Sequence, residues 1–100
     1  MGQPESLISL LLDPSASVAE RDDAAMDLAA FTQPEAEHAL LKVALGPSTP
    51  ELVVASCGES LAEIWCRRAE TLPEAFSNLP DVAKHEARGY IQQVRPDWLA

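Results

Sequence analysis

The chain has 100 residues, a net charge of −9 and 47% hydrophobic residues, of which few are aromatic. This length predicts one domain over residues 1–100, and no run approaches the roughly 18 apolar residues that a transmembrane helix needs. Residues 1–63 hold eleven acids and two bases, which gives −9, whereas residues 64–100 hold five of each. This charge repels nucleic acid and attracts basic proteins, so we expect a protein partner with a basic surface and neither nucleic-acid nor membrane binding.

A helix-start signal recurs along the chain in the form Ser/Thr-x-Pro-Glu, beginning at Thr32, Ser48 and Thr71. Proline is tolerated in the first helical turn. The hydroxyl residue can cap the helix, and a glutamate three positions later can complete a capping box. A further capping box runs from Ser17 to Glu20. The signals predict six helices with short connections, at 4–12, 17–31, 34–45, 50–68, 73–79 and 80–94. No segment alternates with period two, so no sheet is expected.

The second, fourth and sixth predicted helices share a small–large–large apolar triplet at offsets of about thirty residues. The three triplets are Ala24, Leu28 and Phe31; Cys57, Leu61 and Ile64; and Ala87, Ile91 and Val94. A triplet that recurs with this period indicates a helical solenoid, because a single helix pair cannot bury its apolar stripe alone. Val18, Trp65 and Tyr90 are also predicted to face inward.

The glycines each suggest a different role. Gly46 precedes Pro47, which predicts a left-handed C-cap of the third helix. Gly58 lies inside the fourth helix, where close helix packing would explain it. For Gly89, inside the last helix, the sequence supplies no reason.

These elements resemble the HEAT-like repeat family. Its pattern is matched by Asp13-Pro14, Val18, Arg21, Ala24-Ala25, Leu28-Ala29, Pro34-Glu35-Ala36 and Leu40-Leu41. A second copy reads Gly46-Pro47, Pro50-Glu51, Cys57, Leu61-Ala62 and Ile64. Val54 departs from the pattern, since the first copy has Arg21 at that position. The resemblance implies a short right-handed α-solenoid of about six antiparallel helices that binds proteins and only rarely carries catalysis.

No catalytic, cofactor or metal site is expected. Cys57 and Cys66 share one predicted helix, about 13 Å apart, which is too far for a disulfide. Two free thiols favour a reducing compartment, so we expect a cytoplasmic protein. His38 and His85 have no second ligand at metal-binding spacing, and the isolated glycines form no phosphate-binding loop.

The acidic residues are the candidate functional feature. Glu20, Asp23 and Asp27 share one face of the second predicted helix, and Glu59 and Glu63 share one face of the fourth. The complete set of expected partner-binding residues is Glu20, Asp23, Asp27, Glu37, Glu59 and Glu63. A compact, helical, acidic chain of this size looks like a bacterial immunity protein or antitoxin, which covers the substrate cleft of a basic, nuclease-type toxin with carboxylates.

Other interpretations remain open at this point. The acidity also fits ordinary solubility. An adaptor could bind a peptide or helix in an apolar groove near Leu41, Leu45 and Trp65, with affinity that ignores salt. A third interpretation is an enzyme-associated HEAT-like protein, such as a bilin lyase subunit or a base-excision repair glycosylase. Those proteins are longer repeat arrays, and the glycosylase needs a basic groove that this chain lacks.

Overall fold

A computed structural model describes residues 4–100, and within them every regular element is helical. The five α-helices are α1 (Pro4–Leu12), α2 (Val18–Asp27), α3 (Pro34–Ala44), α4 (Glu51–Arg68) and α5 (Asp81–Val94). Three short 3₁₀ segments cover Leu28–Ala30, Glu74–Asn78 and Pro96–Leu99. The all-α prediction is therefore confirmed for the described residues, while the predicted number of helices changes.

The predicted helix at 73–79 is a 3₁₀ segment instead, so there are five α-helices rather than six. Leu79, which precedes Pro80, has extended dihedrals (φ −67°, ψ 145°), as expected for a residue before proline. The few residues between the two prolines are too short to nucleate a stable α-helix. The second predicted helix also stops early, because it tightens into the 3₁₀ segment after Asp27.

The capping box at the start of α2 is confirmed. The backbone N–H of Glu20 donates to Ser17 Oγ at 3.0 Å, and the Ser17 N–H donates to Glu20 Oε1 at 3.0 Å. The three predicted caps at Thr32, Ser48 and Thr71 are wrong. The N-cap positions are held by Gln33, Pro50 and Pro73, none of which makes a side-chain cap.

The end of α3 also differs from its predicted form. The left-handed cap at Gly46 is wrong, because no residue in the described part of the chain has a positive φ. The Thr49 hydroxyl instead donates to the Val43 carbonyl at 2.8 Å. A Cβ at position 46 would lie only 2.8 Å from that Thr49 oxygen. Gly46 therefore leaves room for a side chain that satisfies an end carbonyl of α3.

The long helix α4 contacts α2, α3 and α5. Gly58 lies against α5, where an added Cβ would come within 2.2 Å of the Ala83 carbonyl oxygen. The close packing predicted for Gly58 is confirmed. Ser60 faces α2 instead. Two residues along a helix are about 200° apart around its axis, so α2 and α5 flank α4 on opposite sides.

Side chains of α4 donate hydrogen bonds along α2 and the segment that follows it. These four contacts, which we call the polar seam, are Ser56 Oγ to Asp22 Oδ1, Ser60 Oγ to the Ala25 carbonyl (2.6 Å), Arg67 Nη2 to the Ala29 carbonyl (2.6 Å) and Arg68 Nη1 to the Thr32 carbonyl (3.4 Å). Residue numbers rise together on both sides of the seam, so α2 and α4 run parallel. The seam satisfies Ser60, the only buried polar residue of the described chain.

The other helix directions follow from similar contacts. Along α4 and α5, Gly58 pairs with Ala83 and the Cys66 region pairs with Tyr90, so these helices are also parallel. Helix α3 is antiparallel to α4, because its start meets Trp65 and its end lies beside Val54. Helix α1 runs antiparallel to α2, because Arg21 Nε near the start of α2 donates to the Leu11 carbonyl near the end of α1 at 3.0 Å. Helix α1 is therefore parallel to α3.

Most residues predicted to face inward are buried, including Cys57 and Trp65, which are both 0% exposed. Two are not. Val18 is 43% exposed and Val94 is 46% exposed, and they are the first residue of α2 and the last residue of α5. Beyond Val94 the chain turns back, and Trp98 packs against the core while its indole N–H donates to the Glu70 carbonyl at 3.3 Å.

Gly58→Ala and Gly89→Ala should change stability in opposite directions. At Gly58 the new methyl group overlaps the Ala83 backbone, so we expect a loss of about 2 kcal/mol or more in the free energy of unfolding. At Gly89 nothing lies within 4 Å of the added Cβ, so the better helix propensity of alanine should add about 0.5–1 kcal/mol. Urea denaturation followed by circular dichroism measures both. A neutral Gly58→Ala would contradict the close approach of α4 and α5.

Candidate protein-binding surface

The acidic stripe of α2 is open to solvent. Glu20, Asp23 and Asp27 are all exposed. Asp22 accepts a hydrogen bond from Ser56 on α4, whereas Asp23, the next residue, has no such partner and is exposed. Glu20 remains exposed although its carboxylate completes the capping box. Asp23 and Asp27 make no hydrogen bond or ion pair with residues 4–100, and their like charges stay uncompensated one turn apart.

The acidic pair of α4 lies on the solvent side of that helix. Glu59 falls between Gly58, which faces α5, and Ser60, which faces α2, and its side chain is exposed. Glu63 is half-buried one turn further on. Arg67, which the sequence would allow to neutralise Glu63, donates instead to the Ala29 carbonyl. The structure therefore brings Glu59 and Glu63 together on one face but leaves them without an ion-pair partner among the described residues.

Tyr90 borders this pair and was not predicted as a surface residue. It is half-buried on α5 beside Glu59 and Glu63. Burial raises the pKa of Tyr90, and the carboxylates of Glu63 and Glu59 raise it further. Its phenol is therefore a neutral donor next to two carboxylates. The sequence predicted only that Tyr90 faces inward on its helix. Its position beside Glu59 and Glu63 could not be predicted, because it depends on how α5 packs against α4.

Glu37 differs from the other five predicted residues, because both of its oxygens are engaged within the protein. Its Oε2 accepts the indole N–H of Trp65 at 2.8 Å, and its Oε1 forms an ion pair with Arg68. Its side chain is only 16% exposed. Burial raises the pKa of Glu37, but the hydrogen bonds from Trp65 and Arg68 and the Arg68 charge outweigh it, so the pKa lies below the ordinary value. Glu37 joins α3 to α4.

The apolar groove expected near Leu41, Leu45 and Trp65 is only partly present. Trp65 is fully buried, so it cannot line a groove, and Leu41 is half-buried against the core. Leu45 is 54% exposed and borders a groove of about 460 Å³ that also contains Val54 and Val82. This groove lies where α3 ends and where α4 and α5 begin.

The remaining reactive groups are dispersed. Cys57 is buried, and burial raises its pKa to about 12. Cys66 is half-buried, and burial raises its pKa as well. Both are free thiols. His38 and His85 are both exposed on their helices. Within residues 4–100 no three His, Cys, Asp or Glu side chains are grouped so that they could hold a metal ion, and no helix there is both long and apolar enough to cross a membrane.

Comparisons with protein-family models, with curated proteins and with solved structures gave no match for this chain.

The Glu37→Gln variant should be less stable at neutral pH by about 1–2 kcal/mol, because it loses the ion pair with Arg68 and weakens the bond to buried Trp65. The folded-state pKa of Glu37 is depressed, so its contribution is present at neutral pH and is lost as pH falls through that pKa, below 4.5. The stability difference should therefore shrink in acid. Urea titrations from pH 7 to pH 3, monitored by tryptophan fluorescence, test this.

Glu59→Gln is the matched control for this experiment, since Glu59 is exposed and has no hydrogen-bond partner among residues 4–100. It should leave stability within about 0.5 kcal/mol of the wild type at each pH. A Glu37→Gln variant that behaves like Glu59→Gln would contradict a structural role for Glu37.

Proposed function

We propose that this protein is a non-enzymatic binding module that neutralises a basic partner, as a small acidic immunity protein or antitoxin does with a nuclease-type toxin. The observation that carries the proposal is the set of carboxylates on the solvent side of α2 and α4. Asp23, Asp27 and Glu59 are exposed, and none has an ion-pair partner within residues 4–100. Unpaired carboxylates on a rigid surface suit a cleft that is built to bind phosphates.

The scaffold that we propose is a short HEAT-like stack. Its support is the direction of the helices: α2, α4 and α5 run parallel, and α3 returns antiparallel between α2 and α4. Stacked helical hairpins have this arrangement, since equivalent helices of successive repeats point the same way. The 3₁₀ segment Glu74–Asn78 would then take the place of the first helix of the last repeat, and the turn around Trp98 would cover the end of the stack.

Electrostatics explain how such a surface would work. The net charge of −9 attracts a cationic protein over about 8–10 Å at physiological salt and speeds its encounter. Contact with lysine and arginine side chains would relieve the repulsion between Asp23 and Asp27 and between Glu59 and Glu63. Because Glu37 is engaged with Trp65 and Arg68, we assign the contact to the other five residues. A reducing, cytoplasmic location fits the two free thiols.

A second candidate function, an adaptor for a peptide or helix, is favoured by the groove beside Leu45. Its apolar lining includes Val54 and Val82, and binding there would be governed by buried area rather than by charge. Salt dependence therefore separates the two functions.

Reversing two charges on the proposed surface should slow the capture of the partner. A pull-down from the source cells at low salt identifies the partner by mass spectrometry, and biolayer interferometry then gives its association rate. For the variant Asp23→Lys, Glu59→Lys we expect a rate about tenfold or more lower, because long-range attraction and local complementarity are both weakened. Raising the salt concentration should slow the wild type in the same way.

The matched control is Glu70→Lys, Glu74→Lys, which makes the same change in net charge at exposed positions that belong to neither α2 nor α4. Its association rate should fall only by the amount that the smaller total negative charge of the protein causes. If both variants associate equally fast, the acidic surface is not the binding site. If the partner remains bound at high salt, the groove beside Leu45 becomes the proposed binding site instead.

A further inference from the structure

A second groove, of about 570 Å³, runs between the parallel helices α1 and α3, and none of the acidic residues of α2 and α4 lines it. Its apolar floor consists of Ile8, Leu12 and Ala39. Leu12 is 38% exposed, whereas Ala39 is 5% exposed. The groove is therefore open to solvent and exposes one large apolar side chain.

The side chains along this groove carry opposite charges at its two ends. Glu5 and Glu35 lie in the first turns of α1 and α3, and because these helices are parallel, both carboxylates lie at the same end. Lys42 lies in the last turn of α3. It is seven residues after Glu35, on the same helix face and about 10 Å away along the axis. All three are exposed, and none makes a hydrogen bond or ion pair within residues 4–100.

We propose that the α1–α3 groove is a dimer interface with a second copy of this chain. A surface that is negative at one end, apolar in the middle and positive at the other is complementary to itself when two copies meet antiparallel. A two-fold axis across the middle of the groove, near Ile8 and Ala39, places Lys42 of each copy opposite Glu35 of the other. This is the isologous arrangement of most homodimers, in which the same patch serves both subunits.

Charge selects a second copy over other occupants. A uniformly basic partner would meet Lys42, and a uniformly acidic partner would meet Glu5 and Glu35, so either would place like charges in contact at one end. A chain that carries the same polarity in reverse avoids both conflicts. The short length of α1 and α3 limits the contact to the small end of the range for specific interfaces, which begins at about 1,200 Å² in total. We therefore expect a reversible dimer that dissociates on dilution.

This inference does not depend on the proposed binding function. The carboxylates of α2 and α4 remain exposed in both copies, so a dimer would present two acidic surfaces. Dimerisation can fail while partner capture succeeds, and the reverse also holds.

Sedimentation velocity on the full chain at physiological salt tests the dimer. The wild type should change from about 10.8 kDa to twice that mass between roughly micromolar and millimolar concentration, the range in which small interfaces associate. Lys42→Glu and Glu35→Lys should each weaken dimerisation at least tenfold, because each places like charges together at two symmetric positions. Glu51→Lys, a single reversal at an exposed residue outside the groove, should associate at least as well as the wild type.

Mixing the two groove variants is the decisive step. In a mixed pair, the Lys42→Glu site of the first chain faces the Glu35→Lys site of the second, so opposite charges meet there again. The unchanged Glu35 of the first chain likewise faces the unchanged Lys42 of the second. Two chains that are monomeric alone should therefore form a heterodimer when combined, which also shows that both are folded.

Two results would count against the proposal. A wild type that stays at the monomer mass at every concentration overturns the dimer itself. A dimer that persists in both single variants, or a mixture that stays monomeric, overturns the α1–α3 groove as its interface.

Discussion

The close approach of α4 to α5 at Gly58 is the contact on which the rest of this small fold depends. The backbone of Ala83 occupies the space where any other side chain at position 58 would project. This proximity sets the distance between the two helices and so allows Val53, Leu61 and Trp65 to be buried completely on α4. With α5 held on one side, the opposite side of α4 is available for the polar seam to α2. One helix thereby fixes the positions of its neighbours, and its remaining face carries Glu59 and Glu63 to solvent.

Burial also explains why one carboxylate of the expected set differs from the others. The indole N–H of a fully buried tryptophan needs an acceptor, and Glu37 on α3 supplies it. Arg68 then compensates the charge. On α2, by contrast, Asp23 and Asp27 are exposed and have no hydrogen-bond or ion-pair partner among residues 4–100. The same type of side chain therefore joins helices in one place and forms the proposed recognition surface in another, and only the tertiary contacts separate these roles.

Local sequence patterns predicted much of this structure. Proline and the Ser17 capping box marked the helix starts to within a residue, and apolar spacing identified Leu28, Leu61 and Ile91 as buried. The predictions were wrong where two adjacent residues could each serve as the N-cap of a helix. They also missed hydrogen bonds between side chains and backbone groups that are far apart in the sequence. A helix that begins at Pro34 makes Gln33 its N-cap, so Thr32 lies outside it. The polar seam was not foreseen, since serine and arginine are usually surface residues and nothing local marks Ser60 as the donor to Ala25.

Native-state amide hydrogen exchange tests most directly the central position of α4. Because α4 packs against α2, α3 and α5, its interior amides from Val53 to Trp65 should exchange only through global unfolding, with an opening free energy equal to that from urea denaturation. The amides at the ends of α1 and α5 should have a lower opening free energy. Faster exchange in the middle of α4 than in α3 or α5 would contradict this account, because it would mean that the molecule can lose α4 and still retain its other helices.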